Sequence, residues 1–110
     1  MSNFGPRIGI LLYVHTIMKL YDISEYTKQQ ARKLGVEVRP SESKKKKLDV
    51  FKNGQKIASI GARGYMDYPS YLKSSGSVVA RNRRKAYKIR HAKDRKKKGT
   101  PGYYADQLLW

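Results

Sequence analysis

The stretch Leu48 to Gly61, "LDVFKNGQKIASIG", constrains the fold more than any other part of the chain. Two β-prone runs flank Asn53-Gly54, the dipeptide demanded by a type I′ hairpin turn, whose two central residues both need positive φ. With that pair at the centre, Lys52 faces Gln55, Val50 faces Ile57 and Leu48 faces Ser59. The period of two then puts Leu48, Val50 and Ile57 on one face, and Asp49, Phe51, Ala58 and Ile60 on the other. The Leu48/Val50/Ile57 face needs cover from elsewhere in the chain.

A helix is expected just upstream, from Ile23 to Leu34. Asp22 is placed to cap it, Glu25 follows three residues later in a capping-box relation, and Gly35 takes the left-handed position beyond its end. Ile23, Tyr26, Ala31 and Leu34 form an apolar stripe that can meet the hairpin. Val36 to Arg39 alternates as a short strand, which Pro40 ends or places at an edge. "SESKKKK" then reads as a polar loop.

Beyond the hairpin, Gly61 and Gly64 relax the backbone; "Gly61-Ala62-Arg63-Gly64" is a glycine-bearing exit rather than a phosphate loop. Tyr65, Tyr68 and Tyr71 recur every three residues, as on one side of a helical turn, but Pro69 argues against a continuous helix there. From Val78 to about Lys96 a basic helix is expected, with a thin apolar stripe of Val78, Val79, Ala86, Ile89 and Ala92 and with Tyr87 and the arginines opposite. Gly99, Pro101 and Gly102 break it, and an apolar tail follows. The expected fold class is α+β: an N-terminal helix, a short strand plus Asn-Gly β-hairpin, a C-terminal basic helix and an apolar tail. One domain is expected over residues 21–110, with residues 1–20 as an apolar N-terminal arm or extension; Met18 could also be the start of a shorter product, which would make residues 1–17 an upstream extension.

With 110 residues the core must be modest. Against it stands a formal charge of +17, from 25 Lys and Arg against 8 Asp and Glu, and self-repulsion of that size calls for an acidic or polyanionic partner. The absence of cysteine excludes disulfides, Cys-ligated zinc, iron–sulfur clusters and thiol catalysis. No transmembrane segment is expected, because even the run from Ile8 to Leu20 is shorter than the ~20 apolar residues that span a bilayer.

The main functional signal is "RNRRKAYKIRHAKDRKKKG", whose first 18 residues carry 11 Lys or Arg against the single carboxylate of Asp94. Arg81, Arg83, Arg84, Lys85, Lys88, Arg90, Lys93 and Arg95 surround the helix, and Lys44, Lys45, Lys46 and Lys47 can add a second cluster. Such a surface neutralises phosphates without reading sequence. Tyr87 and His91 lie among the charges, where aromatics can stack on bases. A solvated cationic helix whose arginine stems cover a small core is the plainer alternative. Catalysis has little support. The carboxylates are scattered without a magnesium-holding pair, and His15 and His91 share no ligand spacing, so neither metal nor cofactor is expected. A nuclease-like centre at His91 and Arg90 is the remotest reading. The tail residues Tyr103, Tyr104, Leu108, Leu109 and Trp110 serve either to close the core or to anchor a neighbouring protein.

The segments "KIASIGARGYMDYPSYL", "RRKAYKIRHAKDRKKKG" and "GYYADQLLW", spanning about residues 48–110, resemble a family of small basic proteins of large nucleocytoplasmic DNA viruses of algae and amoebae. That resemblance implies a viral product without enzymatic motif, carried on the inner side of the capsid or in the particle interior and made in the host cytoplasm or nucleus. The leading expectation is a non-enzymatic virion structural protein of minor-capsid type, whose partners are other capsid proteins or acidic protein surfaces. The alternative is a sequence-nonspecific protein that binds or packages DNA or RNA.

Overall fold

The computed structural model describes residues 20–110; the arm expected over residues 1–20 lies, apart from Leu20, outside the described residues. Helix α1 spans Glu25–Leu34, strands β1, β2 and β3 span Glu37–Pro40, Lys46–Lys52 and Gln55–Ala62, helix α2 spans Tyr68–Arg90 and helix α3 spans Pro101–Leu109. The fold is α+β, with a three-stranded antiparallel sheet in the order β1-β2-β3.

Helix α1 starts later than Asp22 would have it. Ser24 is the cap: its Oγ accepts from the Thr27 backbone N–H at 3.1 Å, and Gly35 closes the other end at φ 71°. Ser24 also donates to Thr27 Oγ1 at 3.1 Å, a second local bond that Asp22 has no means of matching. Glu25 is therefore the first helical residue rather than a capping-box partner, and it pairs with Lys28 at 3.3 Å.

Asn53 (φ 52°) and Gly54 (φ 79°) form the hairpin turn, with Lys52 opposite Gln55. Beyond that pair the register departs from simple counting. Phe51 faces Lys56, but Val50 faces Ala58 and Leu48 faces Ile60, so the strands bulge at Ile57. The extra residue turns Ile60 rather than Ile57 onto the face of Leu48 and Val50, and Leu48, Val50, Ala58 and Ile60 are buried together. The bulge brings two large aliphatics opposite each other, where the unbulged register leaves Leu48 facing Ser59.

The tail completes this core. Thr100 caps α3 by accepting from the Tyr103 N–H at 3.3 Å, and Pro101 sits in the first turn, where its missing N–H costs nothing. Tyr104, Leu108 and Leu109 pack with Ala31 of α1 and with the sheet. At the far end of α3, Thr27 Oγ1 donates to the Leu108 carbonyl at 2.7 Å and Gln30 Nε2 to the Gln107 carbonyl at 3.3 Å, so α1 side chains satisfy carbonyls the short helix leaves open. Gly61, at φ 79°, lets α3 approach β3 closely: a Cβ there would lie 2.8 Å from Leu109 Cδ1.

Three expectations for the basic helix and the joint before it are corrected. Pro69 does not prevent a helix through the tyrosine-rich joint. It lies in the first turn of α2, behind an Asp67 cap that accepts from the Ser70 N–H at 3.0 Å, and the break falls instead at Gly76 (φ 86°, ψ 174°). At the other end α2 stops at Arg90, and residues 91–96 are turns. The expected stripe is also on the wrong side. Val78, Val79 and Ile89 are exposed, as is Ala92, whereas Ala80 and Tyr87, seven residues apart on one face, are buried. Tyr87 finds its cover in Trp110, whose ring lies parallel to it at 4.5 Å.

Candidate functional site

Asp67, buried at the N-terminus of α2, organises the centre of the candidate site. Its Oδ2 accepts from Lys47 Nζ at 2.9 Å and from the Tyr21 hydroxyl at 2.6 Å, and its Oδ1 accepts from Ser70 Oγ at 2.6 Å. Burial pushes this carboxyl up, but the bonds from Ser70, Tyr21 and Lys47 and the Lys47 charge outweigh it and hold the group below the ordinary carboxylate range. Tyr21 moves the other way: burial first, then the hydrogen bond to Asp67 and its charge, hold the phenol far above its usual value. Lys47 is thus a buried structural partner and no part of an exposed lysine cluster. Lys44 and Lys45 are exposed on a loop in which Ser41 Oγ and Ser43 Oγ accept from the N–H groups of Ser43 and Lys45, and Lys46, also exposed, opens β2 where the sequence suggested loop.

A second buried carboxylate, Asp106 of α3, ties down the basic segment. Its Oδ1 accepts from Lys88 Nζ at 2.7 Å, and its Oδ2 lies 4.0 Å from Arg95 Nη1. Lys88 and Arg95 are therefore spent on docking. Arg84 lies 4.0 Å from the centre of the Tyr68 ring, which in turn meets Tyr26 of α1 at 5.2 Å. Burial is the main reason the Tyr26 and Tyr87 phenols are raised.

Arg81, Arg83, Lys85, Arg90 and Lys93 remain exposed, and among the described residues none of them has a carboxylate within ion-pairing distance. Tyr87 is not available to stack on a base: its ring lies 4.5 Å from Trp110 at 7° and 4.3 Å from His91 at 29°, within the fold. His91 is half-exposed, with Nδ1 3.9 Å from Asp94, and no acidic cluster accompanies it. Tyr103, Tyr104, Leu108, Leu109 and Trp110 belong to the core or pack against it, so the tail clasps its own fold.

A groove of about 430 Å³ opens where the hairpin exit, α2 and α3 meet. Arg83, Arg90 and His91 line one part of it, and Tyr71 and Trp110, 6.3 Å apart, another. Asp67 and Lys47 are in the lining, as are Tyr65 and Met66, both exposed. The sequence flagged Arg83, Arg90 and His91 but assigned no role to Tyr65, Met66 or Tyr71. The signal for the two tyrosines was their three-residue spacing, which Pro69 concealed, and Met66 carried none.

Among the described residues no group of three or more His, Asp or Glu is placed to hold a metal ion. None of the described helices is long and apolar enough to cross a membrane. No curated protein and no solved structure matches the chain. Residues 36–70 match a family of unknown function, DUF5754, a span that takes in the sheet and the cap of α2 and leaves out most of the basic helix and all of α3.

Proposed function

We propose that the protein is a non-enzymatic binding protein whose partner is nucleic acid, gripped along its phosphates without regard to sequence. The division of charge carries this reading. Two of the buried carboxylates, Asp67 and Asp106, are consumed by Lys47, Lys88 and Arg95, which leaves Arg81, Arg83, Lys85, Arg90 and Lys93 on the surface without an ion-pair partner among the described residues. Five such cations neutralising five phosphates give a log–log salt slope of roughly −4 to −5 on duplex DNA, so affinity falls roughly 10²–10³-fold between about 50 and 200 mM salt. Replacing Arg83 and Arg90 together by Ala shrinks the slope by about two. Binding that ignores salt would overturn the proposal.

A second reading, a minor structural protein of a virus particle, is favoured by one observation. Val78 and Ile89, 62% and 68% exposed, lie on one face of α2, Val79 is exposed beside them, and Leu72 is exposed on the turn ahead of the break at Gly76. Apolar groups set among cations suit a protein neighbour. On this reading the protein stays with emptied, nuclease-treated shells; departure with the genome would exclude it.

A further inference from the structure

The groove beside the Tyr87–Trp110 stack combines features that a purely phosphate-binding surface does not need. Two guanidinium groups, Arg83 and Arg90, line it without a carboxylate partner among the described residues. Aromatic and thioether groups line it as well, and Tyr65 is 76% exposed, so it holds no part of the core together. Trp110 is fixed in place by its parallel contact with Tyr87. The one side-chain carboxylate in the lining, Asp67, would repel an anion if bare, but Lys47, Tyr21 and Ser70 occupy both its oxygens.

We propose that this groove takes an unpaired nucleobase together with its phosphate, so that single-stranded nucleic acid is the preferred ligand; the inference rests on the nucleic-acid reading above. The base packs against Tyr65 and the Trp110 wall, and its phosphate meets Arg83 and Arg90. A base inside a duplex already has both faces stacked and cannot enter, whereas an unpaired one brings a free π-face and a flexible backbone. At about 430 Å³ the groove falls within the size range of sites that enclose small organic groups.

Trp110 is the chain's single tryptophan and lines this groove, so its emission can be read without interference from another indole. The test titrates the full chain with a short oligothymidine and with a duplex of matched length at the same salt. The oligothymidine is expected to quench Trp110 emission and to bind more tightly than the duplex, which leaves the emission unchanged. Tyr65→Ala is expected to weaken oligothymidine binding about tenfold and duplex binding little. Equal affinity for both ligands with unchanged Trp110 emission would overturn the inference and leave the phosphate-binding reading standing. Full affinity of Tyr65→Ala for oligothymidine would overturn it as well. Failure of both ligands to bind would overturn the reading and the inference together.

Discussion

Asp67→Ala is expected to destabilise the fold by about 3–5 kcal/mol at neutral pH, measured by urea unfolding, because it leaves the Lys47 ammonium buried without a counter-charge. The loss reaches further than one ion pair. Asp67 also caps α2 and receives the Tyr21 hydroxyl, so three separate segments meet at its two oxygens. The pH dependence distinguishes this mechanism from simple loss of packing. The folded carboxyl titrates below its unfolded value, so its contribution is complete above the ordinary carboxylate pKa near ~3.9 and disappears as pH falls through the lower folded value. The gap between native protein and variant therefore narrows in acid. Tyr21, whose folded pKa is raised, contributes stability that is complete below the ordinary phenol value near ~10 and is lost as pH rises beyond it. A gap that stays constant from neutral pH down to strong acid would show that the charge of Asp67 is irrelevant to the fold.

Local signals carried much of this architecture. Asn53-Gly54 located the hairpin turn, Gly35 the end of α1, and the run Tyr103 to Trp110 the piece that closes the core. What counting missed depends on contacts distant in sequence. The bulge at Ile57 is invisible to a period of two, because it is selected by the burial of Ile60 against Leu48 and α3. The docking face of α2 was misread because its apolar residues were weighed by type alone, while Tyr87 gains its burial from Trp110, 23 positions away. Lys47 looked like one of four equivalent lysines. Only the fold brings Asp67, 20 residues on, to its ammonium group. The candidate surface was legible as charge, and its sorting into docking and free cations was not, since that sorting is made by two buried carboxylates.

Leu108→Ala is expected to cost about 2–5 kcal/mol, and at 3 kcal/mol or so to lower the thermal midpoint by roughly 10 °C or more. Leu108 is fully buried, at 0% exposure, in the cluster where α1, the sheet and α3 meet. Its truncation leaves a cavity between elements that relax independently only at the expense of the Thr27 bond to the Leu108 carbonyl. The consequence extends to the surface. Asp106, two residues before Leu108, holds Lys88 and Arg95, and Trp110, two residues after it, stacks on Tyr87. Loosening α3 therefore loosens the second half of α2, which docks on α3, and protection of the Tyr87 to His91 amides from hydrogen exchange should fall with that of α3. Val78→Ala, a truncation on the exposed side of the same helix, is expected to change stability by less than about 0.5 kcal/mol. If Leu108→Ala and Val78→Ala prove equally mild, α3 is an appendage and the basic helix is held by something other than the tail.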